Sequence, residues 1–97
     1  MDRRIIELTT PDGVLLTGVE RGAGPAVIFI HGYSDSWLTW KHVLDCLPGR
    51  MRAVALTLRG HGDSTKPAAG YGIGDFAADV LAAMDTLGIA DAVIVGH

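Results

Sequence analysis

The residue types able to do chemistry gather in three short loops. His31-Gly32-Tyr33-Ser34 follows the apolar run Ala26–Ile30. Arg59-Gly60-His61-Gly62-Asp63-Ser64 follows the run Arg52–Leu58, and Gly96-His97 follows Ala92–Val95. In an open α/β sheet, ligands bind beyond the carboxyl ends of the strands, where these loops lie. The composition also excludes chemistry. The four histidines (His31, His42, His61, His97) form no H-x-x-x-H pair and there is a single cysteine, so no metal-ligand spacing is present. Gly70-x-Gly72-x-Gly74 has neither a preceding strand nor the G-x-G-x-x-G spacing of a nucleotide loop. No cofactor is expected.

The elements that must hold these loops can be read from pattern. Ile5, Ile6 and Leu8 begin a strand that ends at the turn Thr10-Pro11-Asp12-Gly13, where Pro presets φ and Gly accepts a positive one. Val14–Glu20 reads as the return strand of a hairpin. Ala26–Ile30 is apolar without alternation, as expected of a strand buried on both faces, and Arg52–Leu58 reads the same way. Between them, Trp37, Trp40, Val43, Leu44 and Leu47 fall at helical spacing, with Ser34 or Ser36 as cap and Pro48-Gly49 as stop. A second helix carries Phe76, Val80, Leu81, Met84 and Leu87 on one face and Gly88 as its C-terminal cap. Asp75 and Asp79 are expected near its positive end. A last strand follows Asp91. The order is a β-hairpin, then β-α-β-α-β, which implies an α/β fold with a mostly parallel sheet.

The chain has 97 residues, 48% hydrophobic and 20% charged, with a net charge of −3, which suits a folded domain and not a phosphate-tracking surface. Nucleic acid is therefore not an expected partner. No apolar run reaches the ~20 residues of a membrane span, and no secretory signal pattern is seen. The expected setting is cytoplasmic. Cys46 is expected to be a small buried hydrophobe, not a reactive thiol. His31 reads either as a satisfied, half-buried histidine or as a pocket-shaping residue. His61 reads as a loop brace, His42 as surface, and Trp37 and Trp40 as helix packing.

The motifs come in a telling order: His31-Gly32, then Trp40, then Arg59-Gly60-His61-Gly62-x-Ser64-x-x-Pro67, then the helix from Asp75, then Val95-Gly96-His97. With them the chain resembles the N-terminal part of the α/β-hydrolase family. One position departs from the pattern: Thr57 stands where family members often carry Asp, a non-catalytic place.

The resemblance implies that residues 1–97 form the N-terminal half of a single hydrolase domain. The rest of the polypeptide, with its cap and triad, would be the partner of this segment. It implies that the Tyr33 backbone N–H is one oxyanion-hole donor, with His31, Gly32 and Ser34 shaping the pocket. Gly96 would be the small residue two places before the nucleophile of a G-x-S-x-G elbow, where a side chain is expected to clash. His97 would be the variable residue just before that nucleophile and not the triad base. Taken without that remainder, the last strand would be an open apolar sheet edge.

Two chemistries use such a scaffold. Serine members cleave esters, lactones, related acyl compounds or C–C bonds, and aspartate members open epoxides or displace halide. Epoxide hydrolases often carry Pro after the aromatic of the first motif, and dehalogenases carry Asn after His-Gly. Tyr33-Ser34 matches neither, so the expectation is a serine-type hydrolase acting on a small molecule. An Asp-nucleophile epoxide hydrolase or dehalogenase is the alternative. An inactive fragment or non-catalytic module is the further alternative, although no bulky residue replaces the motif glycines.

Overall fold

A computed structural model describes residues 3–97. It contains β1 (Arg4–Thr9), β2 (Leu15–Arg21), β3 (Ala26–Ile30), a 3-10 turn (Trp37–Trp40), α1 (Lys41–Cys46), β4 (Arg52–Thr57), α2 (Ile73–Leu87) and β5 (Ala92–Gly96). The five strands form one sheet in the order β1-β2-β4-β3-β5. β1 pairs antiparallel with β2 and β2 antiparallel with β4, while β3 runs parallel to both β4 and β5. The hairpin and the β-α-β-α-β order expected from the sequence are both present.

The period-2 alternation of strand side chains explains why β3 and β4 are apolar throughout. Ile28, Val54 and Leu56 face α2 and join Leu8, Leu16, Ala83 and Ile89 in one core. Val27, Phe29, Ala53 and Ala55 face α1 and pack with Leu44, Trp40 and Leu47 on the other side. The result is a helix-sheet-helix sandwich that leaves the carboxyl ends of β3, β4 and β5 at one edge.

Several details differ from the sequence reading. The first helix is split into a 3-10 turn and a six-residue α1. Ser36 caps the turn by accepting the Leu38 N–H, and Ser34 caps nothing, since it sits at a φ of 65°. The turn is anchored from the sheet. The buried Thr57 hydroxyl accepts the Trp37 N–H at 3.1 Å, an acceptor role that an Asp at this position would also fill.

Val43 is 40% exposed and Leu81 is 62% exposed, so neither belongs to its helix's inner stripe. In α2 that stripe runs through Asp79, Val80, Ala83, Met84 and Leu87, and Leu81 is rotated about 100° from Val80. Cys46 is exposed among the described residues, on the outer side of α1, and is not the buried hydrophobe expected. Gly88 caps α2 with a φ of 69°, and the Asp75 carboxylate accepts the Gly72 N–H at the other end.

β5 pairs only with β3, and Val93 and Ile94 stand exposed on it, so the open apolar edge is seen among the described residues. No helix there is long and apolar enough to cross a membrane.

Candidate functional site

The three loops meet because their strands are parallel and adjacent. The His97 N–H donates to the Ile30 carbonyl at 3.1 Å, extending the β3–β5 ladder past Gly96. The Leu58 N–H donates to His31 Nε2 at 2.9 Å, tying the end of β4 to the loop after β3. The His31 and His61 rings lie edge to face with centroids 4.9 Å apart, Tyr33 stands 6.1 Å from His61, and Trp40 stands 6.4 Å from His97.

Between the first two loops and α2 is a cleft of about 440 Å³ lined by Tyr33, Ser34, Gly60, His61, Tyr71 and Phe76. A smaller recess of about 190 Å³ shares Tyr33, His61 and Phe76 as walls and reaches His31, Gly32 and Leu58. The lining is largely aromatic and suits a small organic molecule. Among the described residues, no group of His, Cys, Asp and Glu is placed to hold a metal ion.

Tyr33 is 92% exposed, and its backbone N–H has no hydrogen-bond partner among the described residues. A backbone N–H that acts as an oxyanion donor must be left without a partner within the fold. His31 is buried and fully satisfied. Nε2 accepts from Leu58, so in the neutral ring the proton is on Nδ1, which donates to the Gly32 carbonyl at 2.7 Å. It is thus a satisfied histidine that also walls the recess.

Burial holds the His31 imidazole below its ordinary value of 6.5; the Gly32 carbonyl and Asp35 pull it up, and His61 pushes it further down. The unfolded chain therefore takes up a proton at this position that the fold resists. The stability this contributes is complete above about pH 6.5 and is lost as pH falls from there through the folded value. The melting temperature of the complete polypeptide is expected to fall between pH 7 and pH 5, and to fall less in His31→Gln. Equal falls in both would exclude His31 as the source.

A Cβ at Gly96 would meet nothing within 4 Å among the described residues, and the turn in which a clash is expected lies outside them. The close approach is at Gly32, where a Cβ would lie 3.1 Å from His97 Nδ1 and 3.5 Å from the His97 carbonyl. Gly60 is tighter still: its φ is 81° and a Cβ would fall 2.6 Å from the Tyr71 ring. Gly60→Ala is expected to cost about 1–3 kcal/mol through left-handed strain and to displace Tyr71 from the cleft wall. A chemical-denaturation midpoint unchanged from wild type would contradict this.

The second loop is held from below by a residue whose role the sequence reading missed. Arg59 donates through Nε to Asp79 Oδ2 at 2.7 Å and through Nη2 to Asp79 Oδ1 at 2.6 Å. Arg59 is 2% and Asp79 0% exposed. Arg59 also reaches Asp12 in the hairpin turn and the Gly70 carbonyl, both at 3.1 Å. The Asp79 carboxylate, above all, raises the guanidinium's pKa further. Asp79 lies in the seventh position of α2, past the first turn where the helix dipole acts, so a buried ion pair replaces the dipole role expected for it. The signal was available: an acid on the inward stripe of an amphipathic helix demands a buried cation. Ser64 adds a second brace, donating to the Thr57 carbonyl at 2.6 Å and accepting the Thr17 N–H at 2.9 Å. His61 braces the loop as expected, with Nδ1 2.9 Å from the Arg59 carbonyl, and His42 is on the surface.

Residues 25–97 match the family described as alpha/beta hydrolase fold. The chain belongs to that family. This α/β-hydrolase chain is 38% identical over 89 residues to an epoxide hydrolase of Caballeronia sordidicola, covering 89% of the chain and 27% of the relative. It is 36% identical over 78 residues to a 2-(acetamidomethylene)succinate hydrolase of Mesorhizobium japonicum, covering 80% of the chain and 28% of the relative. Among solved structures, an epoxide hydrolase from an endophytic Streptomyces superimposes with a TM-score of 0.91 at 39% identity, over 98% of this chain and 29% of that one. The α/β-hydrolase chain spans between 16% and 31% of the length of the curated relatives it matches. The Caballeronia, Mesorhizobium and Streptomyces relatives are hydrolases, two of the three named for epoxides. That shifts the balance of the sequence reading from the serine-type expectation to its epoxide alternative.

Proposed function

We propose that this chain is the N-terminal portion of an α/β-hydrolase that adds water to a small epoxide, with the Tyr33 N–H stabilising an oxyanion. The observation that carries the reading is the unpartnered Tyr33 N–H beside a cleft formed by the loops that follow the parallel strands β3 and β4. The names of the relatives supply the substrate class.

The chemistry explains why an oxyanion donor suits epoxide opening. A carboxylate nucleophile that attacks an epoxide carbon opens the ring, and the ring oxygen leaves as an alkoxide that takes up a proton. The carboxylate is then an ester of the product. Water must cleave that ester at its acyl carbon, through a tetrahedral intermediate that carries charge on one oxygen. A fixed backbone N–H stabilises that oxygen without reorganising. The same donor would serve a serine enzyme, so the first loop supports hydrolysis without choosing the nucleophile. The aromatic lining of the cleft favours an apolar, ring-bearing epoxide.

A second reading, an acyl hydrolase, is favoured by one observation. Ser34 has a φ of 65°, which proline with φ fixed near −65° cannot adopt. The loop therefore follows a path closed to the Pro-containing form of the first motif. The M. japonicum relative, whose name carries no epoxide, is consistent with this.

The test is turnover by the complete polypeptide of styrene oxide and of p-nitrophenyl acetate, with the products identified. Epoxide turnover to the diol, with kcat/KM well above that for the ester, supports the first reading. Ester turnover alone overturns it in favour of the second.

A further inference from the structure

The Tyr33 N–H and the Gly32 carbonyl belong to one peptide group. In a trans peptide these two dipoles point in opposite directions within one plane, so whatever fixes the carbonyl also aims the N–H. Here the group fixing the carbonyl is a side chain, His31, whose Nδ1 lies 2.7 Å from the Gly32 oxygen. His31 is itself held: the residue is 3% exposed, and its Nε2 takes the Leu58 N–H at the end of β4.

We propose that His31 is a positioning residue, which uses the end of β4 as a fixed point to set the plane of the Gly32–Tyr33 peptide and so aim the Tyr33 N–H into the cleft. The inference rests on the oxyanion reading of Tyr33 and adds a residue to it.

Three observations support the assignment. Among the described residues no other hydrogen bond restrains the peptide, Tyr33 is almost fully exposed, and the next residue, Ser34, is in the left-handed region. A loop with that strain needs an external tether to hold one orientation. The tether also strengthens the donor, because a hydrogen bond accepted by a carbonyl polarises the N–H of the same peptide. Finally, His97 stands close on the side toward β5, its Nδ1 3.1 Å from where a Gly32 Cβ would be, which narrows the room for the Gly32 segment there.

Only the neutral imidazole makes both bonds, since a proton on Nε2 would oppose the Leu58 N–H. The titratable groups around the ring are His61 from the β4–α2 loop and Asp35 from the β3–α1 loop, with His97 beyond Gly32 at the end of β5.

The experiment uses the complete polypeptide and three forms: wild type, His31→Phe and His31→Gln. Phe keeps the ring without either hydrogen bond, and Gln can offer both an acceptor and a donor. In His31→Phe, kcat is expected to fall by about 10²-fold with KM changed less than about 3-fold, and Gln to restore at least tenfold of the loss. With 15N-tyrosine labelling, the Tyr33 amide resonance of wild type is expected to shift with pH at the His31 titration midpoint, and to stay flat in Gln. A kcat in His31→Phe equal to wild type, or a loss carried by KM alone, overturns the proposal. So does a Tyr33 resonance that ignores His31. If Phe fails to fold, the Gln variant and the resonance decide alone. Because the resonance reports peptide orientation without turnover, it separates failure of this tether from failure of the oxyanion reading, which Tyr33→Pro kinetics test.

Discussion

Asp79→Ala in the complete polypeptide is expected to lower stability by about 3–5 kcal/mol, the cost of leaving a buried guanidinium without its counter-charge. Arg59 and Asp79 form a two-bond fork in which neither side chain reaches solvent. Asp12 cannot take over, because its carboxylate lies at the surface and meets Arg59 at 3.1 Å through Nη2 alone. The effect extends to the site. Arg59 opens the loop that carries Gly60 and His61, and its Nη1 bond to the Gly70 carbonyl holds the segment leading to Tyr71. Loss of Asp79 should therefore also raise KM by widening the cleft. Replacing both partners, as Arg59→Leu with Asp79→Leu, should recover much of the stability, because no charge is then left buried. Urea midpoints at constant m measure this. A loss below about 1 kcal/mol in Asp79→Ala would mean that water reaches Arg59.

Tyr33→Pro is expected to lower kcat by about 10²–10³-fold, or about 2.7–4 kcal/mol of transition-state stabilisation, by deleting one oxyanion donor. Tyr33→Phe should leave the backbone donor intact and change kcat by less than about threefold, which separates the N–H from the phenol. The melting temperature controls for a distorted loop. Proline with wild-type kcat and an unchanged melt would remove Tyr33 from the site.

Much of the frame was legible because two periodicities are strong here. Runs such as Ala26–Ile30 without alternation announce strands with both faces covered, and the structure places Val27 and Phe29 on one core and Ile28 on the other. Gly88 and Pro48-Gly49 ended their helices as their backbone preferences require. The errors have physical causes. Ser34 and Ser36 are equivalent as sequence, and only the Thr57 hydroxyl, 20 residues away, fixes where the turn begins.

Cys46 and Val43 sit on a helix too short for period to assign its faces. The inward facing of Asp79 was legible from its spacing to Phe76 and Ala83, whereas the dipole reading failed because α2 begins at Ile73, two residues before the start at Asp75 that the sequence suggests. At the site, the three loops could be named from sequence, and their convergence followed from parallel order. The tether of Gly32 by His31 could not, because it depends on one side-chain rotamer and on the register of β3 against β4.

The proposed role of the Tyr33 N–H is to stabilise the oxyanion of an ester being hydrolysed. A single turnover of styrene oxide by excess complete polypeptide in 18O-enriched water decides it. If a carboxylate opens the ring, the new hydroxyl of the first diol comes from the protein, and water oxygen enters the carboxylate. An unlabelled first diol is expected, with label appearing when a second portion of epoxide is turned over. A first diol carrying 18O would mean that water attacks the epoxide directly, with no acyl oxyanion for Tyr33 to stabilise.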